Sequence, residues 1–225
     1  MAGMDGKKKL HLVGIGVKHS IAPPMHNHIA ESLGLPWTFH STECSDLDSL
    51  MELARSGETA GLVVTMPYKS TVMARLDRLD ELATTIGACN NVYYDPSDHK
   101  LVGTNTDWLG IKGCLLEKGD DNERPKPGKS DQPALLVGAG GASRAAVYAL
   151  STQLFSTTIY VLNRDEKEVE DLVRDTTHIE PRPRIVHVKS LEQASSLETP
   201  YYVKRKRRWR QSWTTSWAVL PKVLF

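Results

Sequence analysis

Two stretches of the chain hold residues whose types and spacing could do chemistry. In the first, Val63-Val64-Thr65-Met66-Pro67-Tyr68-Lys69, a hydroxyl and an amine follow a short β-branched run that begins at Gly61. Pro67 cannot donate to a ladder, so the pattern predicts a buried strand that stops near Thr65, with Lys69 on the loop or first helical turn beyond it. Open α/β sheets bind their ligands at such strand ends. On this stretch alone, a lysine there reads more simply as a solvated surface charge. In the second, Ala134-Leu135-Leu136-Val137 runs straight into Gly138-Ala139-Gly140-Gly141-Ala142-Ser143-Arg144-Ala145 and then an apolar helix to about Leu154. Strand, glycine turn and helix in that order make a dinucleotide site. The glycines let the backbone approach a pyrophosphate, whose charge rests on the helix N-terminus. The third glycine of the usual pattern is Ser143 here, and a plain structural turn is the alternative.

The elements that must position these residues follow from periodicity. Residues 10–17 read as a strand and Pro23-Pro24 as the start of a helix to about Leu33, followed by a strand over Trp37–Thr42 and a helix over Leu47–Arg55. A helical stretch is expected after Lys69. Two short strands, Asn91–Tyr94 and Lys100–Gly103, should flank a turn at Pro96-Ser97-Asp98, and a helix should span Thr106–Lys118. A further strand is expected at Thr158–Leu162, ending in Asn163-Arg164-Asp165. Strands alternating with helices argue for a parallel α/β layer.

Composition bounds the class. The chain has 225 residues with 40% hydrophobic content, enough for real cores, and Gly119–Pro133 is a polar, proline-bearing break suited to an interdomain linker. The first apolar run is short and interrupted by His11 and two glycines, which argues against a signal peptide or membrane span. Cys44, Cys89 and Cys114 lie far apart with no metal-ligand spacing, as expected of small buried hydrophobes in a cytoplasmic protein with no metal. The net charge of +1 conceals an asymmetry. Tyr201–Phe225 holds seven basic residues and no acid, and subtracting those seven leaves −6 for residues 1–200.

Six segments, in order, resemble the shikimate/quinate dehydrogenase family: GVKHSIAPPMHN (Gly16–Asn27), VTMPYK (Val64–Lys69), GACNNV (Gly87–Val92), GTNTDWLG (Gly103–Gly110), VGAGGASRA (Val137–Ala145) and LNRD (Leu162–Asp165). The resemblance implies an α/β chain with an N-terminal α/β substrate-binding domain (1–118), a linker (119–133) and an incomplete Rossmann-type dinucleotide-binding domain (134–200). Carried over by position, it makes Lys69 and Asp107 the catalytic pair. Ser20, Thr65 and Asn90 become substrate contacts, and Gly138, Gly140, Gly141, Ala142, Asn163, Arg164 and Asp165 become cofactor contacts. The expected activity is hydride transfer between a ring hydroxyl of shikimate or quinate and NAD or NADP. The implied partner is a small hydroxylated ring carboxylate, without membrane or nucleic-acid binding. Such chemistry needs a base for the hydroxyl proton. Asp107 would orient the amine, or cap a helix starting at Trp108.

Within the matched region two departures bear on specificity. Where the family usually has Ser-x-Ser after the histidine, this chain reads Ser20-Ile21-Ala22, so one of two hydroxyls expected to grip the substrate carboxylate is missing. The other histidine-segment residues, His19, Met25, His26 and Asn27, are expected to pack and support. At Asp165, NADP-using members tend to carry Thr or Ser; a carboxylate can accept from the ribose 2′-hydroxyl and would repel a 2′-phosphate, which leans toward NAD. Capping of the next helix is the alternative. After about Pro200 the resemblance ends in a basic, Trp-rich stretch expected to be a non-family, disordered tail, or else a nuclear-localisation or nucleic-acid patch. If the later strands and returning helix of the family are absent, Val137, Ile159 and Val161 should lack part of their cover. The alternatives to an active enzyme are then a catalytically impaired substrate-binding module and a nucleic-acid-associated protein.

Overall fold

The computed structural model describes residues 8–118 and 133–196. The linker expected at 119–133, apart from Pro133, and the basic tail at 201–225 lie outside the described residues. The chain divides into two units. The first runs through Thr84 and takes in Ala88–Asn105; the second holds Thr85–Gly87 and everything from Thr106 onward.

The first unit is built on a six-stranded sheet. Its strands are β1 (Lys8–Gly14), β2 (Trp37–Glu43), β3 (Thr59–Val64), β4 (Arg78–Leu79), β5 (Asn91–Tyr94) and β6 (Leu101–Thr104), in the order β2-β1-β3-β5-β6-β4. Both neighbours of β1 run parallel to it, as the alternation of strands and helices predicts. Beyond β3 the sheet is mixed. β5 is antiparallel to β3 and to β6, because β5 and β6 are joined by a turn too short for a crossover. That turn is held by Asp95, whose Oδ1 accepts from the Ser97 N–H and hydroxyl at 2.8 and 2.6 Å.

Helices α1 (Ala22–Ser32) and α2 (Leu47–Ala54) belong to this unit, and α3 (Glu81–Ile86) begins in it. Proline in the first turn starts α1 without losing a bond, and Asp46 caps α2 through the Ser49 N–H at 2.7 Å. The helix expected after Lys69 is only a 3-10 turn, Thr71–Arg75. Past it the chain is captured by β6 instead. Asp77 N–H donates to the Leu101 carbonyl and Asp80 N–H to that of Gly103, so β4 forms and α3 starts late. Val13, Leu50, Val64, Val72 and Leu101 are fully enclosed in one core. On the outer edge of β2, the Asn27 amide accepts from Phe39 N–H at 2.7 Å and donates to its carbonyl at 2.9 Å, pinning α1 to an edge strand that would otherwise invite pairing.

In the second unit, β7 (Ala134–Val137), β8 (Thr158–Leu162) and β9 (Arg184–Val188) form a parallel sheet in that order. With them are α4 (Asp107–Lys118), α5 (Gly141–Tyr148), α6 (Glu166–Asp175) and α7 (Leu191–Ser196). The single helix expected to reach Leu154 is α5 followed by a π-helical turn, Ala149–Gln153. α4 packs against α5, with Trp108 and Tyr148 edge to face at 5.6 Å. Ile159 and Val161 are fully buried, against the expectation that they lack cover, because β8 is the central strand between β7 and β9; Val137, on a flanking strand, is only half-buried.

Candidate active site

In the first unit the geometry starts from the ends of β1 and β3. Thr65 N–H donates to Val13 at 2.9 Å and Ile15 N–H to Met66 at 3.1 Å, which ties the two strand ends together. They approach so closely that a Cβ on Gly14 would stand 2.5 Å from Thr65 Cγ2 and 2.7 Å from the Met66 carbonyl oxygen. Tyr68 N–H returns to the Thr65 carbonyl at 3.0 Å, closing the turn that carries Lys69, and the Tyr68 hydroxyl donates to the Cys44 carbonyl at 2.9 Å. From the other side, Cys89 N–H reaches the Lys69 carbonyl at 2.7 Å and Val64 N–H the Asn90 carbonyl at 2.8 Å. Thr65, Lys69 and Asn90 therefore share the end of β3.

Asn90 is buried, and its Oδ1 accepts from the Asn91 amide at 2.9 Å, which fixes which way the side chain faces. Lys69 is half-buried. Cys89 is enclosed nearby, and burial pushes its thiol up to about 12, so it is an inert packing group. Ser20 lies in the same unit, on the loop that leaves β1. Its Oγ accepts from the Ala22 N–H at 3.2 Å, which leaves the hydroxyl proton to donate elsewhere. His26 stacks on Phe39 with ring centroids 4.6 Å apart, a packing role.

That loop is held by residues the sequence did not single out. Glu43 accepts from Gly16 N–H and Val17 N–H, both at 3.0 Å, and the Ser41 hydroxyl donates to the Val17 carbonyl at 3.3 Å. The only signal in the sequence was the two-residue alternation of Trp37–Thr42, which puts Ser41 and Glu43 on one face of β2.

Asp107 belongs to the second unit, where it is the first residue of α4. The cap position falls to Thr106, whose carbonyl accepts from Leu109 and Gly110 at 3.2 and 3.4 Å, so the helix does not start at Trp108 with Asp107 as its cap.

The glycine turn and the end of β8 are neighbours, since Gly138 N–H donates to the Leu162 carbonyl at 2.9 Å. Gly138 has φ +95°, a conformation natural to glycine, and nothing lies within 4 Å of where a Cβ on Gly138 or Gly140 would stand. Gly140 precedes α5 and offers no side-chain cap, so the helix end presents the N–H groups of Gly141 and Ala142, while Ser143 N–H donates to the Gly140 carbonyl at 3.0 Å. Ser143, in the third-glycine position, is buried and donates its hydroxyl to the Gly138 carbonyl at 3.0 Å, so the extra group is absorbed by the turn itself. These features fit a pyrophosphate.

At the end of β8, Asn163 Nδ2 donates to the Asp165 carbonyl and to Glu168 Oε2, both at 2.9 Å. Arg164 is exposed. Asp165 caps α6 through one oxygen, Oδ1, which accepts from Lys167 N–H and Glu168 N–H at 2.9 and 3.3 Å. A carboxylate has further lone pairs, so capping and recognition of a ribose hydroxyl are compatible.

Residues 12–92 match the Shikimate dehydrogenase substrate binding domain. The chain is 36% identical over 208 residues to the quinate dehydrogenase of Emericella nidulans, covering 86% of this chain and 62% of that protein's length. Among solved structures, shikimate dehydrogenase from Aquifex aeolicus superposes with a TM-score of 0.70 at 27% identity, covering 84% of this chain and 65% of that one. Quinate dehydrogenase from Corynebacterium glutamicum, solved in complex with NAD, gives 0.68 at 28% identity, covering 81% of this chain and 64% of that one. The chain thus spans less than two thirds of the length of each, and over that span it is similar to shikimate and quinate dehydrogenases.

Proposed function

We propose that the chain is an oxidoreductase that moves a hydride between a ring hydroxyl of shikimate or quinate and NAD or NADP. The observation that carries this reading is the fastening of Thr65, Lys69 and Asn90 to one strand end by backbone bonds from residues far apart in sequence. Ser20 and Thr65 supply hydroxyls and Asn90 an amide to a polyhydroxylated ring acid. Lys69 serves as the base that takes the hydroxyl proton as the carbon–oxygen double bond forms, and Asp107 is the second catalytic residue carried over by position. A bound nicotinamide would supply the acceptor for the hydride from the same carbon. The glycine turn Gly138–Ala142 would hold the pyrophosphate and Asn163, Arg164 and Asp165 the ribose end, with Asp165 favouring NAD. The test is a turnover assay crossing quinate and shikimate with NAD and NADP. Reduction of either cofactor by either acid supports the reading, and none in all four combinations overturns it.

A second reading, a substrate-binding module without turnover, is favoured by the family match falling on residues 12–92, nearly all in the first unit. Calorimetric titration with NAD separates the two, since only the enzyme requires cofactor binding.

A further inference from the structure

We infer that Glu43 is a positioning residue for the carboxylate end of the ring acid, acting by holding the Gly16–Val17 turn and, through Val17, the hydroxyl of Ser20. The inference rests on the reading that Ser20 grips that carboxylate. After β1 the chain turns through Gly16, whose φ of +75° and ψ of 25° aim two successive N–H groups, those of Gly16 and Val17, in one direction. Such a pair forms a small anion-binding concavity. Here it is filled from within, because the two oxygens of the Glu43 carboxylate take one N–H each at 3.0 Å.

Val17 is the node that passes this restraint on. Its side chain is buried beside Leu12 and Phe39, and its carbonyl accepts from Ser20 N–H at 3.1 Å and from the Ser41 hydroxyl at 3.3 Å. Ser20 Oγ in turn accepts from Ala22 N–H, which holds the oxygen in place and leaves the hydroxyl proton to donate to a ligand. Ser41 and Glu43 lie on one face of β2, so a single strand holds both the start and the end of the turn. This matters more here than where two hydroxyls share the load. Ala22 stands at the second position, so Ser20 is the one hydroxyl of the pair, and its placement must come from the backbone beneath it.

The test is calorimetric binding of quinate, shikimate and shikimate methyl ester to the parental chain, E43A, E43Q, S20A and the E43A/S20A pair, with thermal unfolding run alongside. We expect E43A to weaken binding of the acids about tenfold, E43Q less because it keeps one acceptor, and the methyl ester to bind all variants alike. We expect the double variant to bind no more than about twofold weaker than S20A, since Ser20 is the group through which Glu43 acts. Amide exchange at Gly16 and Val17 should quicken in E43A while the unfolding midpoint moves little. Unchanged acid affinity in E43A, an equal loss for the ester, or fully additive losses would each overturn the inference and leave the dehydrogenase reading intact. If the parental chain binds neither acid, the functional reading fails first, and this inference with it.

Discussion

The end of β3 and the glycine turn are both candidate ligand sites, but they are assembled in opposite ways. At β3, Thr65, Lys69 and Asn90 are fixed by backbone bonds to Val13, Cys89 and Val64, and the fit against Gly14 leaves no room for a methyl group. At the glycine turn most bonds are local: Ser143 bonds to Gly138 and Gly140, and Asp165 caps the helix that follows it, although Gly138 N–H also reaches the Leu162 carbonyl on the next strand. Space above Gly138 and Gly140 is open. A site built from long-range contacts couples its geometry to the stability of its unit, whereas a local one can lose function while the fold stays whole.

The largest effect should come from chemistry alone. Lys69→Ala is expected to cut kcat by a factor of at least about 100 with little change in unfolding midpoint, since Lys69 is only half-buried, beyond the end of a strand. Near-parental kcat in a steady-state assay would remove Lys69 from the mechanism.

Paired glycine substitutions test the contrast directly. Gly14→Ala should destabilise the first unit by about 2 kcal/mol, because its neighbours at 2.5 and 2.7 Å include backbone that cannot give way. Gly140→Ala should cost less than about 0.5 kcal/mol, its φ of −74° suiting any residue, yet weaken NAD binding by about tenfold by standing between backbone and pyrophosphate. Urea melts and calorimetry on both variants measure this, and equal destabilisation would erase the distinction.

A smaller change is expected at Asp165. Serine is also a good N-cap, so Asp165→Ser should keep α6 intact while shifting the kcat/KM ratio toward NADP; Asp165→Ala should instead cost about 1 kcal/mol of stability. An unchanged cofactor ratio in the serine variant would confine Asp165 to its capping role.

The smallest effect is a pH dependence in the first unit. Burial, then the neighbouring His40 and Lys9, hold His11 below its ordinary value, and its Nδ1 lies 2.8 Å from Thr42 Oγ1. The folded chain therefore binds this proton less readily than the unfolded one. Stability from His11 is present above about pH 6.5 and falls as pH drops through that value toward the lower folded one. Asp77, held low chiefly by Arg55, has the opposite origin but the same direction, in a lower window below about pH 4. His11→Gln should flatten the loss of urea midpoint between pH 7 and 5.5, and an unchanged slope would point to another group.

Much of this was written locally in the sequence. The strand Thr158–Leu162, the start of α1 at Pro23-Pro24, the glycine turn and the capping chemistry of Asp165 all depend on residues within one turn or one strand of each other. Period-two alternation, a fixed proline φ and a helix cap are legible without knowing the partner. Tertiary structure decided what lay across the sheet: the mixed order beyond β3, the capture of Arg78–Leu79 by β6, the burial of Ile159 and Val161 on a central strand, and the close approach at Gly14. It also decided that Glu43, 26 residues along the chain from Val17, accepts the N–H that holds the Ser20 loop. A carboxylate on an alternating strand looks the same in sequence whether it faces water or a backbone donor, because the strand and loop that bring that donor are ordered only when the sheet assembles.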